Sequence, residues 1–396
     1  MLLKNCRLRD GSIVDILTRD EKIAEVEAGL EAEGVRVLDC RENLIVPGFV
    51  DCHMHLDKTR IAQETPNKSG TLNEAISISQ SRKRNFTKDE VMKRARKTVE
   101  MAIEAGTTFI RTNVDVDPIV GLIGLEALLA VREEFEDRLQ LQLVAFPQEG
   151  ILKAPGTLQL LEEALKMGAD AVGGIPAKDT SAEEHLQIIF DLAEKHDRPL
   201  DIHTDESDDP QDLTILEIAK QTVARGLQGR VSVAHCCSLA ALPPERLERV
   251  LAEIRPADLH IVSLPSTNLY LQGRDDAYKV RRGIAPVKIL LEKGFRVAVA
   301  SDNVRDAFNP FGNANLLQIA LITAHGCHLG GTDELEQVFD MISSTPREMM
   351  GLNPHITPGG RADFTILPTE NVAEAIVGQV RILDRIYKGV PDGRWL

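Results

Sequence analysis

From residue 44 to about residue 350, short apolar runs alternate with stretches whose apolar residues recur at helical spacing. The apolar runs fall at 44–55, 107–116, 141–150, 171–176, 200–206, 231–237, 259–265 and 296–303. Between them lie amphipathic segments such as Lys88 to Ala105, Leu158 to Met167, Ala182 to Lys195, Leu213 to Arg225 and Pro286 to Lys293. Strand-length runs separated by helix-length segments predict repeated βα units around a parallel sheet. Eight repeats predict a (β/α)8 TIM-like barrel, in which chemistry gathers at the C-terminal ends of the strands.

The two ends of the chain carry a different pattern. Residues 1–43 are short alternating segments with turn signals at Asp10-Gly11 and Arg19-Asp20-Glu21-Lys22, as in β-hairpins. Two further strand-like segments, Thr357 to Leu367 and Val380 to Gly389, follow the barrel region. The expected organisation is a small composite β-sandwich built from residues 1–47 and 355–396, enclosing a barrel over 48–354. No solenoid repeat or low-complexity tract interrupts it.

Composition narrows the partners. With 61 Asp and Glu against 46 Lys and Arg, the formal charge of −15 argues against a nucleic-acid surface, which needs clustered cations to neutralise phosphates. The chain starts without an apolar signal stretch, and no run of about eighteen apolar residues appears, so neither secretion nor membrane spanning is expected. Six cysteines, at 6, 40, 52, 236, 237 and 327, show no C-x-x-C spacing and read as reduced thiols of a cytoplasmic protein.

Candidate chemistry lies at the ends of the apolar runs. His53-Met54-His55 closes the first, and residues two apart on a strand project to one side, so both imidazoles can reach one metal ion. Alone, such a pair is as readily two unrelated core histidines. Three later run-ends, Asp201-Ile202-His203-Thr204-Asp205-Glu206, Val233-Ala234-His235 and Ala298-Val299-Ala300-Ser301-Asp302-Asn303, add donors. His53, His55, His203 and Asp302 make a plausible set for one divalent ion. Taken singly, His203 and Asp302 read as polar strand-end residues capping the next helix. Glu206 is a candidate proton carrier, provided the chain turns sharply after His203; otherwise it is a carboxylate in the first turn of a helix. His235 reads as a further ligand or as a hydrogen-bonding group beside the ion. Lys178 lies past a proline beyond the fourth run and reads as a solvated surface amine, which favours one metal over two. His185, His196, His260, His325, His328 and His355 fall mostly on helices or loops and carry no assigned chemistry.

Several segments resemble the amidohydrolase superfamily, and within it the bacterial cytosine deaminases: Pro47 to Lys58, Ser69-Gly70-Thr71-Leu72, Val144 to Leu152, His203-Thr204-Asp205-Glu206, and Leu271 to Arg274 with Arg281-Arg282-Gly283. The resemblance runs nearly end to end. It implies a mononuclear barrel hydrolase holding zinc or iron through His53, His55, His203 and Asp302, with Glu206 as proton shuttle and His235 polarising the attacking oxygen. It also implies that Gln148 reads the carbonyl and amide edge of a ring by paired hydrogen bonds, and that the backbone near Leu72 receives a ring N–H. Several relatives form multimers, so a homo-oligomer acting on a small heterocyclic substrate is a further expectation. No ligand is missing, which argues against a non-catalytic scaffold.

Departures from that pattern fall at substrate-binding positions. Asn303 follows the metal aspartate where cytosine deaminases carry a second aspartate, Phe308 stands where they have Trp, and Asn113 where His is usual. All three are expected at the pocket mouth. The stretch Ala300 to Asp306, with Pro310-Phe311-Gly312-Asn313, instead resembles the N-isopropylammelide hydrolases, which remove an alkylamine from a triazine ring. Deamination of an aminated N-heterocycle is the leading expectation, with alkylamine removal or cyclic-amide hydrolysis as alternatives.

Overall fold

The computed structural model describes residues 1–394; residues 395 and 396, the end of the expected C-terminal β segment, lie outside the described residues. Five strands open the chain: β1 (Leu2–Arg7), β2 (Ile13–Arg19), β3 (Lys22–Glu27), β4 (Val37–Asp39) and β5 (Leu44–Pro47). Eight more follow with helices between most of them: β6 (Phe49–Met54), β7 (Thr107–Asp115), β8 (Gln140–Phe146), β9 (Ala171–Gly174), β10 (Leu200–Thr204), β11 (Val231–His235), β12 (His260–Ser263) and β13 (Val297–Val299). The chain returns through β14 (Phe364–Leu367), β15 (Asp384–Tyr387) and β16 (Val390–Pro391).

Strands β6 to β13 form one sheet in sequential order with every neighbouring pair parallel. The sheet meets itself where Met54 and Asp302 form a parallel bridge and the Asp302 amide donates to the His53 carbonyl at 2.9 Å. This is the TIM-like barrel that the alternating pattern predicts. Parallel neighbours need long crossovers, and helices such as Lys88–Glu104, Thr157–Met167 and Ala182–His196 supply them. The hydroxyls of Thr87 and Ser181 accept from the amides of Glu90 and Glu184, starting two of these helices where the sequence pattern places them.

Alternation along β10 sets the layers. Leu200 and Ile202 join the large apolar cluster that packs strands on helices, whereas Asp201 and His203 meet His53 and His55 on the other face.

Both termini contribute to a second, mixed sheet of order β16-β15-β14-β5-β1-β2-β3, with β4 beside β1. It gathers its own apolar cluster, including Leu3, Cys6, Ile16, Ile45, Phe364 and Ile386. The run 44–55 is divided at Gly48: β5 belongs to the terminal sheet and β6 to the barrel. Thr108 packs against the bare glycine, where an added Cβ would lie 2.3 Å from its methyl group. Among the described residues no helix is long and apolar enough to cross a membrane.

Candidate active site

The register of β6 against β7 shifts between Phe49 and Val50 and again between Asp51 and Met54, a bulge-like irregularity of the kind that re-aims side chains at strand ends. His53 and His55 converge there with His203 from β10 and Asp302 from just beyond β13. His55 Nε2 lies 3.1 Å from His203 Nε2 and 3.4 Å from Asp302 Oδ1, and His53 Nε2 lies 3.8 Å from the same oxygen. Donors held about 2.0–2.2 Å from one tetrahedral ion sit roughly 3.3–3.6 Å apart, so the spacing suits a single metal. His53 Nε2 and both Asp302 oxygens are buried without a hydrogen-bond partner. Such orphaned atoms are costly unless something else satisfies them. Burial, reinforced by Lys58 and neighbouring imidazoles, holds His55 and His203 well below the usual histidine pKa, in the neutral form that binds metal. Asp302 adopts a left-handed backbone at φ 56, a conformation uncommon for a residue with a side chain and concentrated at functional sites.

A buried layer orients these groups. Asp201 Oδ1 lies 3.0 Å from His53 Nδ1, and Arg111 approaches the other Asp201 oxygen at 3.4 Å. Hydrogen bonds of this kind fix which imidazole nitrogen is free. Asn113, expected at the pocket mouth, is fully buried on β7, with Nδ2 3.4 Å from His53 Nδ1 and 3.5 Å from Asp201. Its side chain faces the barrel interior and reaches the imidazole from behind.

The sharp turn that Glu206 requires is present. Strand β10 ends at Thr204, and Asp205 takes a left-handed φ of 51, which swings Glu206 into the same cavity as His203. Glu206 Oε1 stands 3.6 Å from His235 Nδ1. Burial raises the Glu206 carboxyl to about 7, with Lys178 opposing the rise. His235, at φ 70, is lowered to about 4 by burial, and Asn268 Nδ2 lies 3.1 Å from its Nδ1.

A cavity of about 130 Å³ opens over this cluster, lined by His55, His203, His235 and Glu206 and by the predicted Leu72, Gln148, Asn303 and Phe308. Cavities near 150 Å³ accept a benzene-sized ring. Leu72, Ile76 and Phe308 make its apolar side. Asn303 Nδ2 donates to Asp306 Oδ2 at 2.6 Å.

Two lysines that the sequence pattern leaves out also line the cavity. Lys58 is buried and donates to Asp115 at 2.5 Å and to Gln148 Oε1 at 3.1 Å. Lys178, read from the sequence as a solvated amine, is half-buried on the cavity wall, and burial lowers its pKa against the opposing pull of Glu206 and Glu149. Behind Lys58, Lys83 reaches Asp117 at 2.7 Å, Glu149 at 2.5 Å and Asp115 at 3.5 Å. Lys58 thus pairs with one member of the His55, Asp57 and Asp115 group, another place where donor atoms converge. His185 is buried and partnered: Asp179 lies 2.6 Å from its Nδ1, and its Nε2 accepts from the Ile175 amide.

Residues 36–377 match the model of the Amidohydrolase family. The chain belongs to that family. It is a hydrolase acting on C–N bonds, and the family is metal-dependent. The chain is 30% identical to N-isopropylammelide isopropyl amidohydrolase of Pseudomonas sp. (strain ADP), over 98% of this chain and 96% of the other. It is 27% identical to pterin deaminase of Rhizobium rhizogenes, over 96% and 90%. The structure of 5-methylcytosine deaminase from Klebsiella pneumoniae, liganded with phosphonocytosine, superposes with a TM-score of 0.93 at 34% identity, covering 99% of this chain and 98% of that one.

Proposed function

We propose that this amidohydrolase is a hydrolytic deaminase of a small aminated nitrogen heterocycle, in which His53, His55, His203 and Asp302 hold one divalent ion, zinc or iron. The orphaned His53 and Asp302 atoms and the neutral His55 and His203 suit such an ion. When bound, the ion supplies Lewis acidity and brings the pKa of water toward neutrality. The observation that carries the reading is Glu206, a carboxyl raised to about 7 on the wall of a ring-sized cavity beside those donors.

A carboxyl with that pKa both accepts and returns a proton near neutral pH. Glu206 takes the proton of the attacking water and delivers it to the exocyclic nitrogen. The oxygen adds to the amino-bearing carbon, the C–N bond breaks, and ammonia leaves as the ring carbonyl forms. Asp302 is the second proton carrier. The Asn268 amide donates to His235 Nδ1, which leaves the His235 Nε2–H to stabilise the oxygen that gains negative charge. Asn303, which gives an amide N–H to Asp306 and lines the cavity, offers its oxygen as the acceptor for the exocyclic amine. Gln148 and the backbone near Leu72 bind the ring.

Ammonia release from cytosine, isoguanine, pterin and aminotriazines by metal-loaded protein tests this reading, and silence across the whole panel would sink it. Alkylamine release is the second reading, favoured by the apolar side of Leu72, Ile76 and Phe308 and by the similarity to N-isopropylammelide isopropyl amidohydrolase. Isopropylamine in place of ammonia would select it.

We also take residues 1–47 with 355–396 as one structural unit and 48–354 as the catalytic unit, placed together in the cytoplasm. An oligomer of this chain is part of the same proposal.

A further inference from the structure

The cavity is polarised, and its polarity narrows the substrate. An ammonium has only donors, so the Gln148 atom that faces Lys58 Nζ at 3.1 Å must be the amide oxygen. Asp115 and Gln148 hold Lys58, and Lys58 in turn fixes the Gln148 amide with its NH2 free for the ligand. Gln148 therefore offers donors, and only one lone pair of its oxygen remains. Lys178 lines the same cavity and forms no hydrogen bond and no ion pair within 4 Å among the described residues. It is the cavity's uncommitted cation.

Apart from Glu206, the acidic groups around it are held by other partners. Asp205 directs its two oxygens to the amides of Thr214 and Ile215, at 2.7 and 3.2 Å. Asp212 lies 3.5 Å from the Thr214 hydroxyl and Glu149 pairs with Lys83 at 2.5 Å, which leaves Glu206, the proton carrier of the reading above, sharing the cavity with Lys178. Acceptors for the leaving amine, Asn303 and Glu206, and donors without a protein partner, Gln148 and Lys178, share the wall of one ring-sized cavity.

On the deaminase reading given above, we propose that Lys178 is a specificity-determining residue that selects an aminated ring bearing a carboxylate, with Gln148 donating to a ring carbonyl or ring nitrogen. Lys58 is the positioning residue that sets the Gln148 amide. A charge-assisted hydrogen bond in so confined a site is strong enough to decide between two otherwise equal rings.

The test is equilibrium binding by titration calorimetry, at fixed pH and ionic strength, with metal-loaded wild type, Lys178→Met and Lys178→Arg. The probes are uracil, uracil-5-carboxylate and uracil-6-carboxylate, rings in which the exocyclic amine is already replaced by oxygen. One carboxylate is expected to bind the wild type at least about tenfold more tightly than uracil. Lys178→Met should lose about ten- to a hundredfold on that carboxylate and leave uracil binding unchanged, while Lys178→Arg keeps the preference. Equal affinity of all three probes for the wild type, or a carboxylate preference that survives in Lys178→Met, overturns the proposal. Ammonia release from cytosine and from its 5- and 6-carboxylates is read separately, so a binding preference without turnover of any of them rejects the deaminase reading alone, and turnover without the preference rejects only the role of Lys178.

Discussion

Two buried polar clusters lie side by side at the C-terminal ends of the barrel strands. In one, Lys58, Lys83, Asp115, Asp117 and Glu149 answer one another with ion pairs of 2.5 to 3.5 Å. Burial alone would raise the Asp115 carboxyl, yet Lys58 and Lys83 hold it below its ordinary value. In the other, the His53 and Asp302 atoms that face the centre have no partner in the chain. Both are largely buried. A buried network that closes on itself is framework, whereas one left open is built around something the polypeptide does not contain.

The contrast is open to attack, starting with its most drastic consequence. Stripping the metal with a chelator should abolish amine release, and re-adding zinc or iron should restore it; in Asp302→Ala neither metal content nor activity should return. Retained activity in Asp302→Ala would mean that the open cluster is not a metal site. Next, Glu206→Gln should keep its metal, by elemental analysis, while kcat falls about 10²- to 10⁴-fold. A near-normal rate would remove Glu206 from the proton path.

The closed cluster should respond in the opposite sense. Lys83→Met leaves Asp117 and Glu149 without their lysine and should lower stability by about 3–5 kcal/mol in denaturant unfolding, with metal content per folded chain unchanged. Loss of metal at full stability would erase the distinction between the clusters.

The smallest effect is on pH. In metal-free protein the Glu206 carboxyl is raised from 4.5 to about 7, so its contribution to stability is fully present below pH 4.5 and is lost as pH rises through about 7. The melting temperature of metal-free wild type should therefore fall between pH 5 and 8 relative to metal-free Glu206→Gln, by a few degrees. Parallel curves for the two proteins would show that Glu206 is not raised.

Much of the site was legible because its donors close apolar runs. Strands buried on both faces are mostly apolar, so His53, His55, His203, His235 and Asp302 stand out at the ends of their runs. The position of Glu206 was legible only as a condition, since a strand alone points it away; the left-handed Asp205 meets that condition. Lys58, though it follows directly on the H-x-H segment, carried no signal of its role because its partners lie 57 and 90 residues away. Asn113 was placed at the wrong depth, since a strand pattern gives which face a residue is on and not how far down the barrel it sits.

Alternation of apolar runs and helical segments determined the barrel by itself, because parallel strands must be buried and their crossovers must be amphipathic. The same alternation placed the candidate donors at strand ends. Only the tertiary structure decided the rest: the closing of the lysine–carboxylate network and the orientation that Lys58 imposes on Gln148. These depend on which distant residues come within a few ångströms of one another, and hydrogen bonding and ion pairing act only at that range.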